Sequence, residues 1–462
     1  MLNHEGWCLL LILCAVIALL LLALPRMRTE RTIAQRLPAC ASSVWTAAGV
    51  VLRACGVLTL VVIPSAIYRS GMMRLGLPVF CAAGLAVLLC MLVPRIRQRA
   101  PQALTMCQAV AEDKWTRAGL GALSAAAAWI GAAAAVSMAA RMFAYVFSLH
   151  YMISLGASVG LALMLTLLCG AQSRHVMDKL QFALLAVLLI GTPVAALLLS
   201  DNTSAALQAF VHSYGQGAQI GMDLLCDLCA GLGALGLLLP SQMLFAEHKP
   251  SVLRKSGIAA SAVIAVLMLL AALSGFAGRA LGIGLESIPA SETILTQIAE
   301  LSALPQPVSA LLTAALLTSL LMYAQAALHF FGTTLSWDVI QPLTHRHTER
   351  PAALWADCLS AAACLLTFLL AMNVNTPLAW YARDVLLCGA VIGTFLMFHA
   401  CGGKAGKMGS RIALVAGADA VFITWLLPLP EKWKILGAVP AAVLTVLPLL
   451  FVKDKPMDKE SA

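Results

Sequence analysis

The sequence predicts an all-α, polytopic membrane protein with about 13 transmembrane helices. The chain has 462 residues, of which 61% are hydrophobic and 11% are charged, and its mean hydropathy is +0.91. Apolar segments long enough to cross a bilayer recur along the chain, and the loops between them are short. A soluble domain has too little interior to bury so much apolar surface, so lipid must act as the remaining solvent.

The predicted spans group into five parts of the chain. These are an extra N-terminal transmembrane helix (1–30), a first five-helix repeat (38–200), a second five-helix repeat (218–401), two peripheral C-terminal helices (402–453) and a cytoplasmic tail (454–462). The first span lacks a basic stretch before it and a small-residue cleavage site after it, so we expect it to remain as a membrane helix. The spans are 7–24, 42–67, 74–94, 118–147, 151–169, 179–199, 222–246, 256–278, 305–336, 353–372, 378–400, 410–428 and 435–452.

The net charge of +9 reports membrane topology rather than a nucleic-acid partner. Most of the 30 Lys and Arg residues lie in alternate loops, such as "PRIRQR" (94–99) and "KPSVLRK" (249–255), as the positive-inside rule expects. This distribution predicts a multi-pass protein of the cell inner membrane with a periplasmic N-terminus and a cytoplasmic C-terminus. We call the face with these basic loops the basic side (predicted cytoplasmic) and the other face the opposite side.

The leading helix of each repeat contains residues that break helices. Because each repeat has an odd number of spans, the second is expected to be inverted relative to the first. Gly and Pro destabilise a helix interior by about 1 and 3 kcal/mol, and opened backbone at membrane depth is tolerated only around a cavity or within protein. Such paired broken helices are typical of secondary transporters, although Gly can also simply allow close helix packing. The breakers are Gly56 and Pro64 in the first helix, and Gly231, Gly233, Gly236 and Pro240 in the second.

Four stretches follow one another in a recognisable order. "IPSAIYRSG" (63–71) comes first, then "RHVMDKLQFALLAVLLIGTPV" (174–194) with Asp178 and Gln181, "LPSQMLFAEHKPSVLRKSG" (239–257) and "AALHFFGTTLSWDVIQP" (326–342). They resemble parts of the first, fifth, sixth and eighth core helices of the sodium/solute symporter family, which includes proline, sugar and pantothenate symporters. Asp178 and Gln181 match a motif at the cytoplasmic start of the fifth core helix.

The resemblance implies a five-plus-five inverted-repeat core of the leucine-transporter type and alternating access around a mid-membrane site. It also implies a sodium site formed by carbonyls of the first core helix and a Ser-Thr pair of the eighth. The matching stretch of the first helix runs from Leu52 to Gly56, and the pair falls on Met322 and Tyr323, with Thr318 and Ser319 one turn earlier. The cation-site positions are therefore Arg53, Cys55, Ser319, Met322 and Tyr323. The substrate-cavity candidates are Ala54, Gly56, Asp227, Gly231, Gly233 and Gly236.

Arg53 lies near the middle of a predicted span, within "GVVLRACGVLTLVVIP" (49–64). An Arg at the centre of a membrane helix costs about 2.5–3.5 kcal/mol on insertion scales and by default marks a functional site. We hypothesise that Arg53 permanently supplies the positive charge that sodium would supply transiently. Asp223 and Asp227, four residues apart on the second broken helix, are the expected counter-ions. An inert structural ion pair is the alternative.

Together these features favour a symporter-like secondary transporter that moves a small polar solute, such as an amino acid or organic acid. A sodium ion or a proton is the possible coupling ion, and no cofactor or resident metal is expected. The alternative is a transporter-like sensor or assembly subunit that binds a solute without carrying it. No nucleophile–base pair appears at suitable spacing, so we expect no enzyme. The expected partners are the solute and the lipid bilayer, with no nucleic acid.

Overall fold

The structure is a computed structural model. It describes residues 5–11, 43–168, 171–199, 220–247, 249–285, 287–301, 303–344, 349–403 and 405–452, together with positions 14, 204 and 208. The described part of the chain is all-helical and contains no strand. Most of the predicted first span, 7–24, lies outside the described residues.

Twelve spans follow one another in the described part of the chain when a bent helix pair is counted as one span. Each corresponds to one predicted span from the second onward, so these predictions are confirmed. Short helices at Met106–Val110, Ile288–Ser291, Ile294–Ala299 and Glu431–Gly437 lie in the loops. The spans are α1 (Ser43–Ala54 with Leu58–Arg74), α2 (Gly76–Arg99), α3 (Lys114–Val146), α4 (Tyr151–Leu168), α5 (Asp178–Leu198), α6 (Gly221–Phe245), α7 (Pro250–Ala280), α8 (Gln306–Thr344), α9 (Ala352–Leu370), α10 (Leu378–Ala400), α11 (Lys407–Leu426) and α12 (Trp433–Phe451).

Contacts of helices in the first repeat have counterparts in the second, five spans further along the chain. α1 packs against α5 and α7, and its counterpart α6 packs against α10 and α2. In the same way α3 packs against α10 and α5 against α8, while α3 and α8 pack on each other. This is the arrangement of two inverted five-helix repeats of the leucine-transporter type. α11 and α12 pack against each other after the second repeat.

α1 is broken near its middle, as its glycine predicts. Its first half ends at Ala54, its second half begins at Leu58, and the two meet at 61°. The bend lies at Gly56 rather than at Pro64. A π-helical turn at Leu58–Val62 comes before Pro64, which then occupies the first turn of the helix Ile63–Ser70. A proline is tolerated in a first turn because its missing N–H would have no partner there.

α6 is interrupted more gently, around Gly236. The helix Ile220–Ala234 ends, three residues follow with i→i+3 bonds of 3.2–3.4 Å, and the helix Leu238–Phe245 begins. A Cβ on Gly236 would lie 1.9 Å from the carbonyl oxygen of Gly389 in α10. Glycine is therefore required at this position for the backbones of α6 and α10 to touch.

Candidate functional site

A central cavity of about 50 Å³ lies where the interruptions of α1 and α6 meet α3, α8 and α10. Its small volume means that the helices are nearly closed around it. Among its lining residues, only three have polar side chains. The lining residues used below are Arg53, Ala54, Gly56, Ser124, Gly131, Gly236, Tyr323 and Leu386.

Arg53 is buried at the end of the first half of α1, with 8% of its surface exposed. Its Nη1 lies 2.8 Å from the carbonyl oxygen of Gly49, 3.1 Å from Asp178 Oδ2 and 3.0 Å from Met243 Sδ. Within the described residues, Nη2 and Nε donate to no protein atom. One edge of the guanidinium thus ties α1 to α5 and α6, while the other edge remains available at the cavity.

The counter-ion of Arg53 is Asp178, not Asp223 or Asp227 as the sequence led us to expect. Asp178 is buried at the start of α5, and a Cβ on Gly49 would lie 2.9 Å from its Oδ2. The missing side chain at Gly49 therefore allows the close approach. The acids of α6 face the opposite side, where Arg74 Nη2 lies 2.9 Å from Asp227 Oδ1 and Nη1 lies 3.7 Å from Asp223 Oδ1.

The remaining cation-site positions lie on α1 and α8, in different settings. Tyr323 lies against Gly56, where a Cβ would be 2.2 Å from its ring, and its hydroxyl reaches Gly131 on α3. Ser319 is 3% exposed and its Oγ makes no hydrogen bond within the described part of the chain. Cys55 and Met322 are buried in the apolar core. Of these four, only Tyr323 lines the central cavity.

Gln181 links the predicted motif to α8, since its Nε2 lies 3.3 Å from the carbonyl oxygen of Ser319. Arg53, Asp178, Gln181 and Ser319 thus connect α1, α5 and α8 on the basic half of the bundle. Fixed polar contacts of this kind hold the two repeats in one relative position.

The substrate-cavity candidates lie in three different settings. Ala54, Gly56 and Gly236 line the central cavity. Gly231 and Gly233 serve helix packing instead, because Cβ atoms there would lie 2.7 Å from the Phe80 carbonyl oxygen and 2.3 Å from the Leu386 carbonyl oxygen. Asp227 is fully buried beside Arg74.

A second cavity of about 150 Å³, which we call the vestibule, lies on the opposite side. Leu58, Ala382 and Leu386 line both this vestibule and the central cavity, so they form the layer between the two. The charged residues of the vestibule are Arg69, Arg74, Arg383 and Glu431. The sequence analysis used the Lys and Arg residues of the loops only to predict topology, and it gave Arg69, Arg74 and Arg383 no role in a site.

On the basic side a polar network closes the bundle below the central cavity. Asp338 of α8 accepts hydrogen bonds from Thr105 Oγ1 at 2.7 Å and from Arg117 Nε at 2.9 Å. Arg117 also donates to the Trp337 carbonyl oxygen at 2.8 Å. Gln242 of α6 reaches the same loop, accepting from the Met106 N–H at 3.1 Å and donating to the Leu104 carbonyl oxygen at 2.9 Å. The sequence analysis quoted Asp338 within a motif but assigned it no partner.

Solved structures resemble this fold over most of the chain, whereas no protein-family model and no curated protein sequence matches it. A Na⁺-coupled sialic acid symporter in a substrate-bound outward-open state has a TM-score of 0.77 at 14% identity, over 98% of this chain and 100% of that one. A manganese transporter of Eremococcus coleocola has a TM-score of 0.55 at 12% identity, over 91% and 99% of the two chains.

A third structure is Mhp1, a nucleobase-cation-symport-1 family transporter in a closed conformation with bromovinylhydantoin bound. It has a TM-score of 0.54 at 14% identity, over 90% of this chain and 93% of that one. At such identities the likeness concerns the fold. The chain therefore has the fold of leucine-transporter-type membrane transporters, a multi-pass helical fold that the sequence analysis predicted.

Proposed function

We propose that the chain is a secondary transporter that carries a small polar solute by alternating access without sodium. We place it as a divergent relative of the sodium/solute symporters in the inner membrane, with a periplasmic N-terminus. The fold supports transport, since each of the three similar structures is of a transporter. The two cavities in line, separated by a thin layer, give the solute a route from the opposite side.

The position of the Arg53 guanidinium is the observation that argues against a bound sodium ion. Hard cations are held by several oxygen ligands. Here the Gly49 carbonyl and the Asp178 carboxylate, which could serve as such ligands, both contact Arg53 Nη1. An Arg side chain stays charged in proteins, so a sodium ion at this place would meet a permanent like charge. Arg53 therefore replaces the mobile cation and holds α1 against α5.

Uptake by the full chain in proteoliposomes tests this proposal. A panel of radiolabelled amino acids and small organic acids is supplied with and without an inward sodium gradient. We expect uptake of at least one solute at a rate that the gradient leaves unchanged. Strict dependence of uptake on sodium would contradict the role of Arg53.

The variant Arg53→Ala sharpens the test. Removing one partner of a buried ion pair costs about 3–5 kcal/mol, so we expect uptake to fall at least about tenfold or to become sodium-dependent. Arg254→Ala is the matched control, because Arg254 is exposed on the basic side. If Arg53→Ala folds and transports as the control does, Arg53 serves structure alone.

A solute-binding sensor is the second candidate, favoured by the same Arg53–Asp178 pair. Asp178 is held by a charge that cannot leave the site, and such a pair could keep α1 and α5 together permanently. A sensor would bind a solute from the panel in a thermal-stability assay yet carry none of it across the membrane. A transporter would do both.

A further inference from the structure

We infer that the solute is an organic anion with an apolar body, bound through the available N–H edge of Arg53. This inference rests on the proposed function for the role of the cavity and narrows the solute to one chemical class. Three observations lead to it: the composition of the central cavity, the hydrogen bonds of Arg53, and the charges of the vestibule.

The central cavity offers hydrogen-bond donors on an apolar wall. Its polar side chains are Arg53, Ser124 and Tyr323. Ser124 Oγ already donates to the Leu120 carbonyl oxygen at 2.7 Å. The Tyr323 hydroxyl makes no hydrogen bond to the described residues, and the same is true of Arg53 Nη2 and Nε. A solute with acceptor atoms and a hydrocarbon body complements this surface.

The cavity lacks the partner that a zwitterionic solute would need. Its described lining contains no carboxylate, and Asp178 is already paired with Arg53 Nη1. An ammonium group placed there would be buried without a counter-charge, which is strongly unfavourable. The chemistry therefore disfavours amino acids and favours acids without an amino group.

The geometry of a guanidinium suits a carboxylate. Its planar N–H groups match the two carboxylate oxygens, and such bidentate hydrogen bonds are roughly twice as strong as neutral ones. Because Asp178 occupies only the Nη1 end, the Nη2 and Nε groups can receive a second carboxylate. The Tyr323 hydroxyl, on the same cavity wall, can donate a further hydrogen bond.

The vestibule favours anions on the way in. Three arginines and one glutamate line it. Arg74 is paired with Asp227, and Arg383 with Asp384 and Glu431. Arg69 is exposed and forms no ion pair with any described residue. The attraction for anions therefore rests on Arg69, since a charge without a partner in a cleft with apolar walls raises the local concentration of the opposite ion. An anion drawn here needs to pass only the layer of Leu58, Ala382 and Leu386.

Three probes with the same hydrocarbon body test the inference: 4-methylpentanoate, its neutral amide 4-methylpentanamide, and leucine, which adds an ammonium group. Binding to the purified full chain is measured by calorimetry near pH 8, where the acid is ionised. We expect the acid to bind about 10–100-fold more tightly than either analogue, which is the range for losing a hydrogen bond between charged groups. Equal or tighter binding of the amide or leucine, or no binding of the acid, overturns the inference.

Two variants locate the binding. Arg53→Gln should weaken binding of the acid about 10–100-fold, and Tyr323→Phe, which removes only the hydroxyl, about 2–10-fold. Arg254→Gln is the control and should leave binding unchanged. If Arg53→Gln does not fold, the affinity of Tyr323→Phe for the acid is the test. An unchanged affinity in that variant overturns the assignment of the central cavity as the binding site.

The outcomes separate this inference from the proposed function. If the acid binds at Arg53 but is not carried into proteoliposomes, the inference stands and the transporter proposal fails. If leucine or the amide is carried while the acid neither binds nor competes, the transporter proposal stands and the anion inference fails.

Discussion

The central cavity is closed differently at its two ends. Toward the opposite side, three apolar residues separate it from the vestibule. Toward the basic side, hydrogen bonds and an ion pair join α3, α6 and α8 to the loop after α2. A thin apolar layer opens by side-chain and small helix movements, whereas a buried charged network must be broken as a unit.

For the proposed transport cycle, the difference indicates which state the structure corresponds to. The route from the vestibule is nearly complete, and the basic side is sealed. Alternating access as proposed would require Asp338 to separate from Thr105 and Arg117 and the contact of α1 with α10 to tighten. The two ends are therefore predicted to respond differently to substitution.

The largest effect is expected for Asp338→Asn. Asp338 is 1% exposed and accepts hydrogen bonds from both Thr105 and Arg117. Loss of its charge leaves Arg117, whose side chain is only 15% exposed, without a counter-ion, and the upper limit for such a loss is about 3–5 kcal/mol, the cost of breaking a fully buried pair. We expect a lower thermal stability and an opening of the basic side. Faster modification of Cys107, which is 3% exposed, by a membrane-impermeant maleimide checks the opening, with the modified peptide located by mass spectrometry.

Asp113→Asn is the control for the basic side. Burial alone would raise the pKa of Asp113, but hydrogen bonds from Thr116 and Arg411 lower it. The pair with Arg411 joins α3 to α11, and Arg411 is 43% exposed, so it is worth only about 0–1 kcal/mol. We expect little change in stability and none at Cys107. Equal labelling of Cys107 in both variants would contradict the idea that Asp338 holds the seal.

A smaller effect is expected at the thin layer, for Leu386→Ala. Leu386 is 4% exposed, and truncating a buried Leu costs about 2–5 kcal/mol. The space released joins the two cavities, so access from the opposite side should increase. The measurement is the labelling rate of a cysteine introduced at Ala54, which lines the central cavity.

Leu396→Ala provides the matched control, because Leu396 is 1% exposed and lies on the same helix, nearly three turns nearer the basic side. It should cost similar stability without changing the labelling of the introduced cysteine. If both variants raise the labelling rate alike, general loosening of α10 explains the result and Leu386 is not a gate.

The same two ends show which structural features could be predicted from the sequence alone. Hydropathy is a local property, and it predicted each described span. The bend in α1 followed from Gly56, but Pro64 was absorbed by a π-helical turn that no local rule signals. Ion pairs depend on distant partners. Arg53 and Asp178 are 125 positions apart, and Asp178 was identified only through the family resemblance, without a partner.

The ion pair beside the vestibule could have been inferred from the sequence. Arg74 ends α1 and Asp227 lies in the half of α6 before its interruption, so the predicted topology places both near the opposite side. In an inverted repeat the leading helices meet, which makes them plausible partners. The glycines could not be sorted in this way. Gly231 and Gly236 look alike in sequence, yet only Gly236 lines the central cavity, because the helix beside each is set by the tertiary fold.

The smallest expected effect is at the entrance, for Arg69→Gln. Because Arg69 is exposed and has no ion-pair partner among the described residues, its loss should cost no stability. It should slow the entry of an anionic solute about 2–5-fold at low salt, since exposed charges act mainly on association rates. At about 1 M salt the Debye length is about 3 Å, and the difference should vanish. Initial uptake rates at the two salt concentrations measure this, with Arg279→Gln, at the same end of the bundle but outside the vestibule, as the control. A loss that persists at high salt would mean that Arg69 contacts the solute directly.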